Sequence, residues 1–314
     1  MATSSRDYVL RTPTAGDLPA VQELLDACES ADVGEPCPHD MDIVAFADTS
    51  KLDLERSAWL AVAPDSALAG VAWLWVPREG DTELVGDHYV HPEHRIGPVD
   101  DLLIDALETR AREVAPAAAA ASRLVLFCES SNPGRRRSLV ERDYEHARDF
   151  YGMRIDLGPG RPAAQWPPGI EVRAARPGHD DRALHAACDD AFSEHYLFAP
   201  TPFEDFVRCT FRRSGFDASL YLAAWDGEEV TGQVWAVPAG SGAVIEDLSV
   251  RRQWRGRGLG LALLLEIFRL LGDRGLSPVR LFVDVQNITG ALRVYERAGM
   301  RVERRLEALQ RVLG

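Results

Sequence analysis

Cysteine is scarce in this sequence of 314 residues, and long apolar runs and an excess of positive charge are absent. The five cysteines are scattered and never spaced as C-x-x-C, so neither a disulfide framework nor a metal site is indicated. No run of about 18 apolar residues could cross a bilayer, and residues 1–7 do not combine a basic start with an apolar core. We therefore expect a cytoplasmic protein without a membrane partner.

Acidic residues outnumber basic ones, and the formal net charge is −14. This charge repels nucleic-acid phosphates and anionic lipids, so we expect no binding to nucleic acid or to a membrane. The exception is a short basic cluster formed by Arg251, Arg252, Arg255 and Arg257. A small anionic cofactor explains this cluster better than nucleic acid does. The sequence does not indicate an oligomeric state.

The length and composition favour two globular domains. With 46% hydrophobic and 27% charged residues the composition is ordinary, and 314 residues exceed the usual size of one hydrophobic core. Residues 158–169 are rich in proline and glycine, which interrupt helices and strands. We predict that they link a first domain at 1–157 to a second domain at 170–314.

An internal repeat supports this division. When the second half of the sequence is laid on the first, matching residues recur in the same order: Leu10-Arg11 with Val172-Arg173, Trp59 with Tyr221, Gly70 with Gly232, and Trp73 with Trp235. Hydrophobic periodicity and turn residues give each half the order β-α-β-β-β-α-β-α-β. The sequence therefore predicts a mixed α/β domain that occurs twice.

The most informative segment lies in the second half. Residues 244–250 are predicted to form a strand, and residues 255–260 a glycine-rich turn that opens a helix. Gly258 and Gly260 have no side chain to keep an anion away from the bare N–H groups at the start of that helix. Residues of the helix predicted to pack on the sheet are Leu261, Leu264, Leu265, Phe268 and Leu271. Such a turn is typical of a phosphate or pyrophosphate site.

The first half has lost this chemistry. In place of the glycine-rich turn it has residues 95–100, in which Pro98 removes an N–H and Asp100 adds negative charge where a phosphate would lie. Two further matches replace a functional side chain by an inert one: Gly86 for Glu246, and Leu139 for Tyr295. We expect a degenerate first domain that is retained for packing or for shaping the substrate site.

A second block follows at residues 284–300, with Asn287 after a strand and Tyr295 one helix later. Together the two blocks resemble the GNAT acetyltransferase family, strongly over 170–314 and weakly over 8–157. The resemblance implies two tandem GNAT-like domains, each with a mixed, mostly antiparallel central sheet flanked by helices. It also implies that acetyl-CoA is the co-substrate and that the second domain transfers acetyl to a small-molecule primary amine by direct attack.

The resemblance also assigns the cofactor-binding residues. The family motif R-x-x-G-x-G is met by Arg255, Gly258 and Gly260, and the N–H groups of residues 256–260 would surround the CoA pyrophosphate. Arg255 and Arg257 would add charge-assisted contacts, and N–H groups near Leu248 and Val250 would bind the thioester oxygen. The complete implied set is Leu248, Val250, Arg255, Gly256, Arg257, Gly258, Leu259, Gly260 and Asn287.

Two residues are interpreted as catalytic proton-transfer groups. A protonated alkyl amine has a pKa near 10, so a base must remove its proton before attack, and the strand offers Glu246. Alternation predicts that Glu246, Leu248 and Val250 share one face of the strand and that Asp247 lies on the other. Tyr295 matches the family tyrosine that protonates the CoA thiolate. Asp247 matches a residue that can hold a cationic substrate in polyamine acetyltransferases of the family.

Three alternatives remain open at this point. A dinucleotide site has a similar strand and turn, with Asp284 as its ribose-binding acid, but its glycines follow G-x-G-x-x-G. The layout is similar to that of the mycothiol synthases, whose base position is Val244 here, so acetylation of an amino-sugar thiol precursor is a second hypothesis. A non-catalytic acyl-CoA-binding regulator is a third. No histidine has paired metal-ligand spacing, and His195 is a candidate for the acceptor pocket alone.

Overall fold

The computed structural model describes residues 7–34, 52–75, 82–116, 122–160, 162–196, 198, 200–213, 215–287 and 289–313. The chain divides into two compact units, of which the first comprises Met1–Phe150 with Arg304–Gly314 and the second Tyr151–Glu303. Residues 158–169 therefore lie inside the second unit, and the last residues return to the first. Each unit has a mixed, mostly antiparallel sheet flanked by helices, which confirms the predicted fold class.

The first unit follows the predicted order of elements. They are β1 (Val9–Arg11), α1 (Leu18–Val33), the short α2 (Leu54–Ser57), β2 (Ala58–Val62), β3 (Leu68–Leu74), β4 (Glu83–Val90), α3 (Val99–Val114), β5 (Arg123–Glu129), α4 (Pro133–Glu141) and the start of β6 (Glu145–Ile155). Strands β1 to β5 are neighbours in sequence order; among their described pairs β4–β5 is parallel and the others are antiparallel. Helices α1 and α3 pack on separate hydrophobic clusters of the sheet.

The last strand of the chain, β12 (Arg301–Val312), completes the first unit. Its residues 306–312 pair antiparallel with β5, from Leu306 opposite Glu129 to Val312 opposite Arg123. Two residues before this paired segment, the buried Arg304 forms an ion pair with Glu129 and a second ion pair, at 3.4 Å, with Glu29. The pairing and the buried charges fix the strand at the edge of β5.

The second unit repeats the arrangement. Its elements are the end of β6, β7 (Glu171–Ala174), α5 (Asp181–Phe192), α6 (Phe203–Cys209), β8 (Tyr221–Asp226), β9 (Glu229–Ala239), β10 (Gly242–Val250), α7 (Leu259–Asp273), β11 (Val279–Asp284) and α8 (Ala291–Arg297). The strand order is β6-β11-β10-β9-β8-β7, with β10 and β11 parallel and β7 to β10 antiparallel. Within the described residues, no helix has the length and apolar character needed to span a bilayer.

Helix α7 covers one face of the second sheet. Its buried residues are Leu259, Ala262, Leu263, Leu264, Ile267, Phe268 and Leu271. The predicted stripe is therefore wrong at Leu261 and Leu265, which are only partly buried. Because almost every position of this helix is apolar, spacing alone does not identify the face that meets the sheet. On the opposite face, α5 and α6 pack over a second cluster that contains Tyr221 and Trp235.

Equivalent contacts in the two units support the internal repeat. Gly70 and Gly232 occupy the same place, where an added Cβ would come within 2.8 Å of Leu103 Cδ1 and 3.2 Å of Leu263 Cδ1, respectively. Glycine at this position allows the long helix to approach the strand closely. The aligned Arg11 and Arg173 likewise each form an ion pair with an aspartate near the start of the first helix of their unit.

Candidate active site

Strands β10 and β11 separate soon after they begin. Their parallel pairing has two register positions, Ala243 with Val279 and Val244 with Arg280. On its other side β10 stays paired with β9 as far as Val250, with a register shift between Ile245 and Asp247. Among the described residues, no strand therefore pairs with the β11-facing edge of β10 beyond Val244. A gap of this kind leaves backbone hydrogen-bonding groups available to a ligand.

The direction of the backbone N–H groups along β10 follows from its pairing with β9. The N–H of Arg251 donates to the carbonyl oxygen of Thr231 at 3.0 Å. Because hydrogen-bonded positions alternate along an antiparallel pair, Ser249 also directs its N–H toward β9. The N–H groups of Leu248 and Val250 then point toward the gap. These are the two strand residues to which the family resemblance assigns the thioester oxygen.

The glycine-rich turn lies directly after this strand. Gly256 and Gly258 have φ values of +77° and +84°, and a Cβ added at either would have no neighbour within 4 Å. Helix α7 has no side-chain cap, and its first N–H bonded to the turn is that of Ala262, which donates to the Gly258 carbonyl. Among the described residues, the N–H groups of residues 256–260 donate no hydrogen bond of normal geometry. Bare N–H groups at the positive end of a helix dipole are features that favour the binding of an anion.

The two arginines of the turn have different environments. Arg255 donates to the Val250 carbonyl at 3.1 Å, to the Ala191 carbonyl at 2.9 Å and to Glu194 at 2.8 Å. Its guanidinium is therefore engaged by the protein, and it ties the turn to the end of α5. Arg257 is exposed, stacks over Trp254 at 4.5 Å and keeps most of its donors available.

The first unit explains the role of the engaged arginine. Arg95, which aligns with Arg255, donates to the Val90 carbonyl at 3.4 Å and pairs with Asp32 at 2.6 Å. The first unit keeps this arginine although it has lost the glycines of the turn. Its retention indicates that the arginine holds the connection in place, whether or not a phosphate binds there.

Glu246 is the extra residue at the register shift of β10. A β-bulge places one additional residue on one strand, so the alternation of faces changes at that point. Consequently Ile245 and Leu248 both join the cluster under α7, whereas Glu246 contacts Arg213, beyond α6, at 2.8 Å. The prediction that Glu246 shares a face with Leu248 is therefore wrong. The carboxylate lies on the side of the strand covered by α5 and α6.

Asp247 is the centre of a buried polar cluster on that same side. One carboxylate oxygen, Oδ2, accepts hydrogen bonds from Gln233 Nε2 at 3.2 Å and from Cys188 Sγ at 3.5 Å. The other, Oδ1, is buried without a partner among the described residues, as is the hydroxyl of Tyr221. Burial raises the pKa of Asp247 to about 6, against the hydrogen bonds from Gln233 and Cys188.

Tyr295 lies on α8 and is buried in the cluster beneath α7. Burial, and secondarily the charge of Asp247, raise its pKa above the ordinary value of 10. The phenol is therefore protonated at neutral pH and can donate a proton or hydrogen bond.

Asn287 follows β11 and is held by its own turn. Its side-chain oxygen accepts from the N–H of Thr289 at 2.8 Å, and its Nδ2 lies 3.4 Å from Nε2 of His195. Burial and the charge of Arg255 lower the pKa of His195, so this ring is neutral near pH 7. The contact brings His195 to the same end of the sheet as the glycine-rich turn.

In the first unit the corresponding strand and turn are filled by side chains. The fully buried His88 lies 2.9 Å from Asp100 at the start of α3, and its other ring nitrogen lies 3.2 Å from Arg135. Burial alone would raise the pKa of Asp100, but its contact with His88 and a hydrogen bond from Ser138 lower this pKa to about 2. The carboxylate is thus ionised at the helix start. Pro98 is the N-cap of this helix.

Sequence reasoning did not identify three residues that border the candidate site: Arg213, Gln233 and Cys188. Gln233 carries a signal in retrospect, because it is a polar residue within the apolar strand β9 and its neighbour strand contains Asp247. Arg213 carries none. It follows Arg212, and the sequence does not distinguish the arginine that turns toward Glu246 from the one that is exposed.

Comparisons with known proteins agree with this geometry. The acetyltransferase (GNAT) family matches residues 184–300. The mycothiol acetyltransferase of Saccharopolyspora erythraea is 30% identical over 265 residues, which cover 82% of this chain and 86% of the relative. The mycothiol acetyltransferase of Stackebrandtia nassauensis is 31% identical over 245 residues, which cover 75% of this chain and 76% of the relative.

Solved structures extend the likeness to both units. A GCN5-related N-acetyltransferase from Sphaerobacter thermophilus matches with a TM-score of 0.82 and 32% identity over 99% of this chain and 97% of its own. A tandem GNAT protein from the clavulanic acid biosynthesis pathway matches with a TM-score of 0.74 over 98% and 99%, and at 15% identity it shows the fold alone. The chain therefore belongs to the GNAT acetyltransferase family, in its tandem form, and is an acyltransferase.

Proposed function

We propose that this acetyltransferase transfers acetyl from acetyl-CoA to the primary amine of a small molecule, and that the second unit alone performs the reaction. The observation that carries the proposal is the row of bare N–H groups at residues 256–260, next to the unpaired edge of β10. The first unit has an ionised carboxylate, Asp100, at the equivalent helix start. A second anion would be repelled there.

The residues of the second unit fit acetyl-CoA. When bound, this co-substrate supplies an activated thioester and a diphosphate. We assign the diphosphate to the N–H groups of residues 256–260 and the thioester oxygen to the N–H groups of Leu248 and Val250. Arg257 adds positive charge, Asn287 contacts the pantetheine arm, and Arg255 holds the turn. No metal ion takes part in the proposed reaction.

Two groups move the protons of the proposed reaction. The ammonium form of the acceptor loses one proton to Glu246, directly or through water, before its nitrogen attacks the carbonyl carbon. The new C–N bond forms as the C–S bond breaks, and Tyr295 gives its proton to the sulfur. The nitrogen loses a second proton as the amide forms, which restores Tyr295 through solvent. One proton is released per turnover.

The acceptor is proposed to bind on the side of β10 covered by α5 and α6. Glu246 and Asp247 give this side negative charge, and Asp247 is assigned to the cationic form of the substrate. The relatives named mycothiol acetyltransferase favour a second candidate, the acetylation of an amino-sugar thiol precursor. Val244 at the base position of that branch opposes it, because valine cannot accept a proton.

The proposal is tested with a panel of primary amines and detection of the released CoA thiol. We expect turnover with at least one amine, and a loss of turnover in Tyr295→Phe without loss of acetyl-CoA binding. An acyl-CoA-binding regulator would behave differently: acetyl-CoA would raise the melting temperature, since it binds only the folded chain, but no amine, including the amino-sugar thiol precursor, would be acetylated.

A further inference from the structure

We propose that the acceptor amine carries a carboxylate close to its amino group, as in an α-amino acid, and that Arg213 binds this carboxylate. The inference rests on the proposed function and specifies its substrate class. It starts from the ion pair between Arg213 Nη1 and Glu246 Oε1, at 2.8 Å. In this pair the guanidinium of Arg213 contacts Glu246, the residue proposed to take a proton from the ammonium group of the substrate.

The position of Arg213 is set by the backbone around it. Its N–H donates to the carbonyl of Thr210 at 3.4 Å, and its carbonyl accepts from the N–H of Phe216 at 3.2 Å. Only 17% of its side-chain surface is exposed. The guanidinium is therefore held beside the bulge of β10 by a short turn after α6, and a ligand would meet it there without rearrangement of the backbone.

The guanidinium of Arg213 retains unused donors. Arginine has five N–H donors in a planar fork that matches a carboxylate. Among the described residues, Arg213 makes one side-chain hydrogen bond, the one to Glu246. Most of its donors are therefore available to an incoming anion. A polyamine, which has no anionic group, would leave them unsatisfied.

The charges of Arg213 and Glu246 are complementary to those of a zwitterion. An ammonium placed at Glu246 and a carboxylate placed at Arg213 would each gain a charge-assisted partner. A substrate carboxylate that draws Arg213 away from Glu246 would weaken the attraction between these two residues, which makes the Glu246 carboxylate a better proton acceptor. A substrate with the matching anion would therefore improve the base that acts on its own amino group.

Comparison of the two units links this pair to function. In the first unit Gly86 stands at the position of Glu246, and it pairs with Leu74. The described pairing between β3 and β4 continues without a shift from Gly70 to Leu74. The unit that lacks the glycine-rich turn thus lacks the bulge and the carboxylate as well. An ion pair needed only for the fold would be expected in both units.

The test compares acceptors that differ only in the carboxylate. Phenylalanine and phenethylamine, alanine and ethylamine, and lysine and cadaverine are assayed by CoA release with the wild type, Arg213→Gln and Arg212→Gln. Arg212 is the adjacent, exposed arginine and serves as the matched control. We expect wild-type kcat/KM to favour the amino acids. In Arg213→Gln this preference should fall about ten- to a hundredfold, the effect of losing a charge-assisted hydrogen bond.

Failure of the inference differs from failure of the proposed function. Turnover of the decarboxylated amines at the same rate as the amino acids, or an unchanged ratio in Arg213→Gln, would overturn the inference and leave the transferase intact. If no acceptor is acetylated, binding decides. N-acetylphenylalanine, in the presence of CoA, should then raise the melting temperature more than N-acetylphenethylamine, and Arg213→Gln should abolish the difference. Equal shifts in the wild type would refute the role of Arg213.

Discussion

Replacement of Asp247 by asparagine is expected to stabilise the protein while it impairs the reaction. The carboxylate is buried, and its pKa is raised from 3.8 to about 6. At about 1.36 kcal/mol per pKa unit, keeping it ionised at neutral pH costs the folded state about 3 kcal/mol. Asparagine has nearly the same shape and carries no charge. Its side-chain oxygen can accept the hydrogen bond from Gln233 that Oδ2 accepts now.

The sign of the pH dependence follows from the raised pKa. Well below pH 3.8 the carboxyl group is protonated in both the folded and the unfolded chain, so the aspartate has no cost. As the pH rises, the unfolded chain releases its proton first, and the free energy of unfolding of the wild type falls relative to the variant. The free energy of unfolding of Asp247→Asn should exceed that of the wild type by about 3 kcal/mol at pH 7.5 and by about 1 kcal/mol at pH 4.5.

Urea unfolding followed by tryptophan fluorescence at these two pH values measures the difference. Asp226→Asn is the matched control, because Asp226 is exposed at the end of β8 and its neutralisation should change stability little. The reasoning about Asp247 is refuted if the variant is no more stable than the wild type at pH 7.5. It is also refuted if the gain is the same at both pH values, since a change in packing alone would not depend on pH.

Three further outcomes are expected. Gly258→Ala should weaken acetyl-CoA binding at least tenfold, as measured by calorimetry. Gly227 also has a positive φ, so Gly227→Ala should cost a similar backbone strain of about 1–2 kcal/mol but leave acetyl-CoA binding unchanged. Tyr295→Phe should lower kcat by about a hundredfold or more with little change in KM; an unchanged kcat would exclude it as the acid. Arg304→Met should destabilise the first unit by about 3–5 kcal/mol, because it removes the buried guanidinium that pairs with Glu29 and Glu129. The exposed Arg301→Met should cost less than about 1 kcal/mol, and equal losses would contradict the buried ion pair.

The features that were predictable from the sequence are those set by local chemistry. The glycines of residues 255–260 and the block at 284–300 were sufficient to indicate the family, which the comparisons confirm. The order of elements followed from hydrophobic periodicity and turn residues, and the fold class is confirmed. These signals are local because each depends on residues close together in the chain.

The face of Glu246 was not predictable, because a bulge changes the two-residue alternation of a strand without a distinctive residue. The register shift between Ile245 and Asp247 depends on pairing with β9. Side-chain partners were equally inaccessible. The motif suggested a phosphate contact for Arg255, whereas its donors bind Val250, Ala191 and Glu194. The roles of Glu246, Asp247, Tyr295 and the cofactor-binding residues remain proposals.

The place of the last strand was not predictable from the repeat. The internal repeat matches residues 301–314 with the end of the first half. It therefore predicts that they form the last strand of the second domain, as their counterparts do in the first. Residues 304–314 instead belong to the first unit, in which β12 pairs with β5. A repeat reveals which residues form a strand, but the edge that the strand joins depends on contacts between residues far apart in the chain.

This exchange of the final strand has a consequence for biosynthesis. A ribosome that adds 5–20 residues per second has already finished β5 when it reaches the second unit, and it needs about 8–30 s to translate residues 151–303. During that interval the β5 edge of the nascent polypeptide is without its partner and is open to intermolecular β-pairing. The half of the protein that is made first is therefore the last to mature, and its exposure to aggregation depends on the rate of translation.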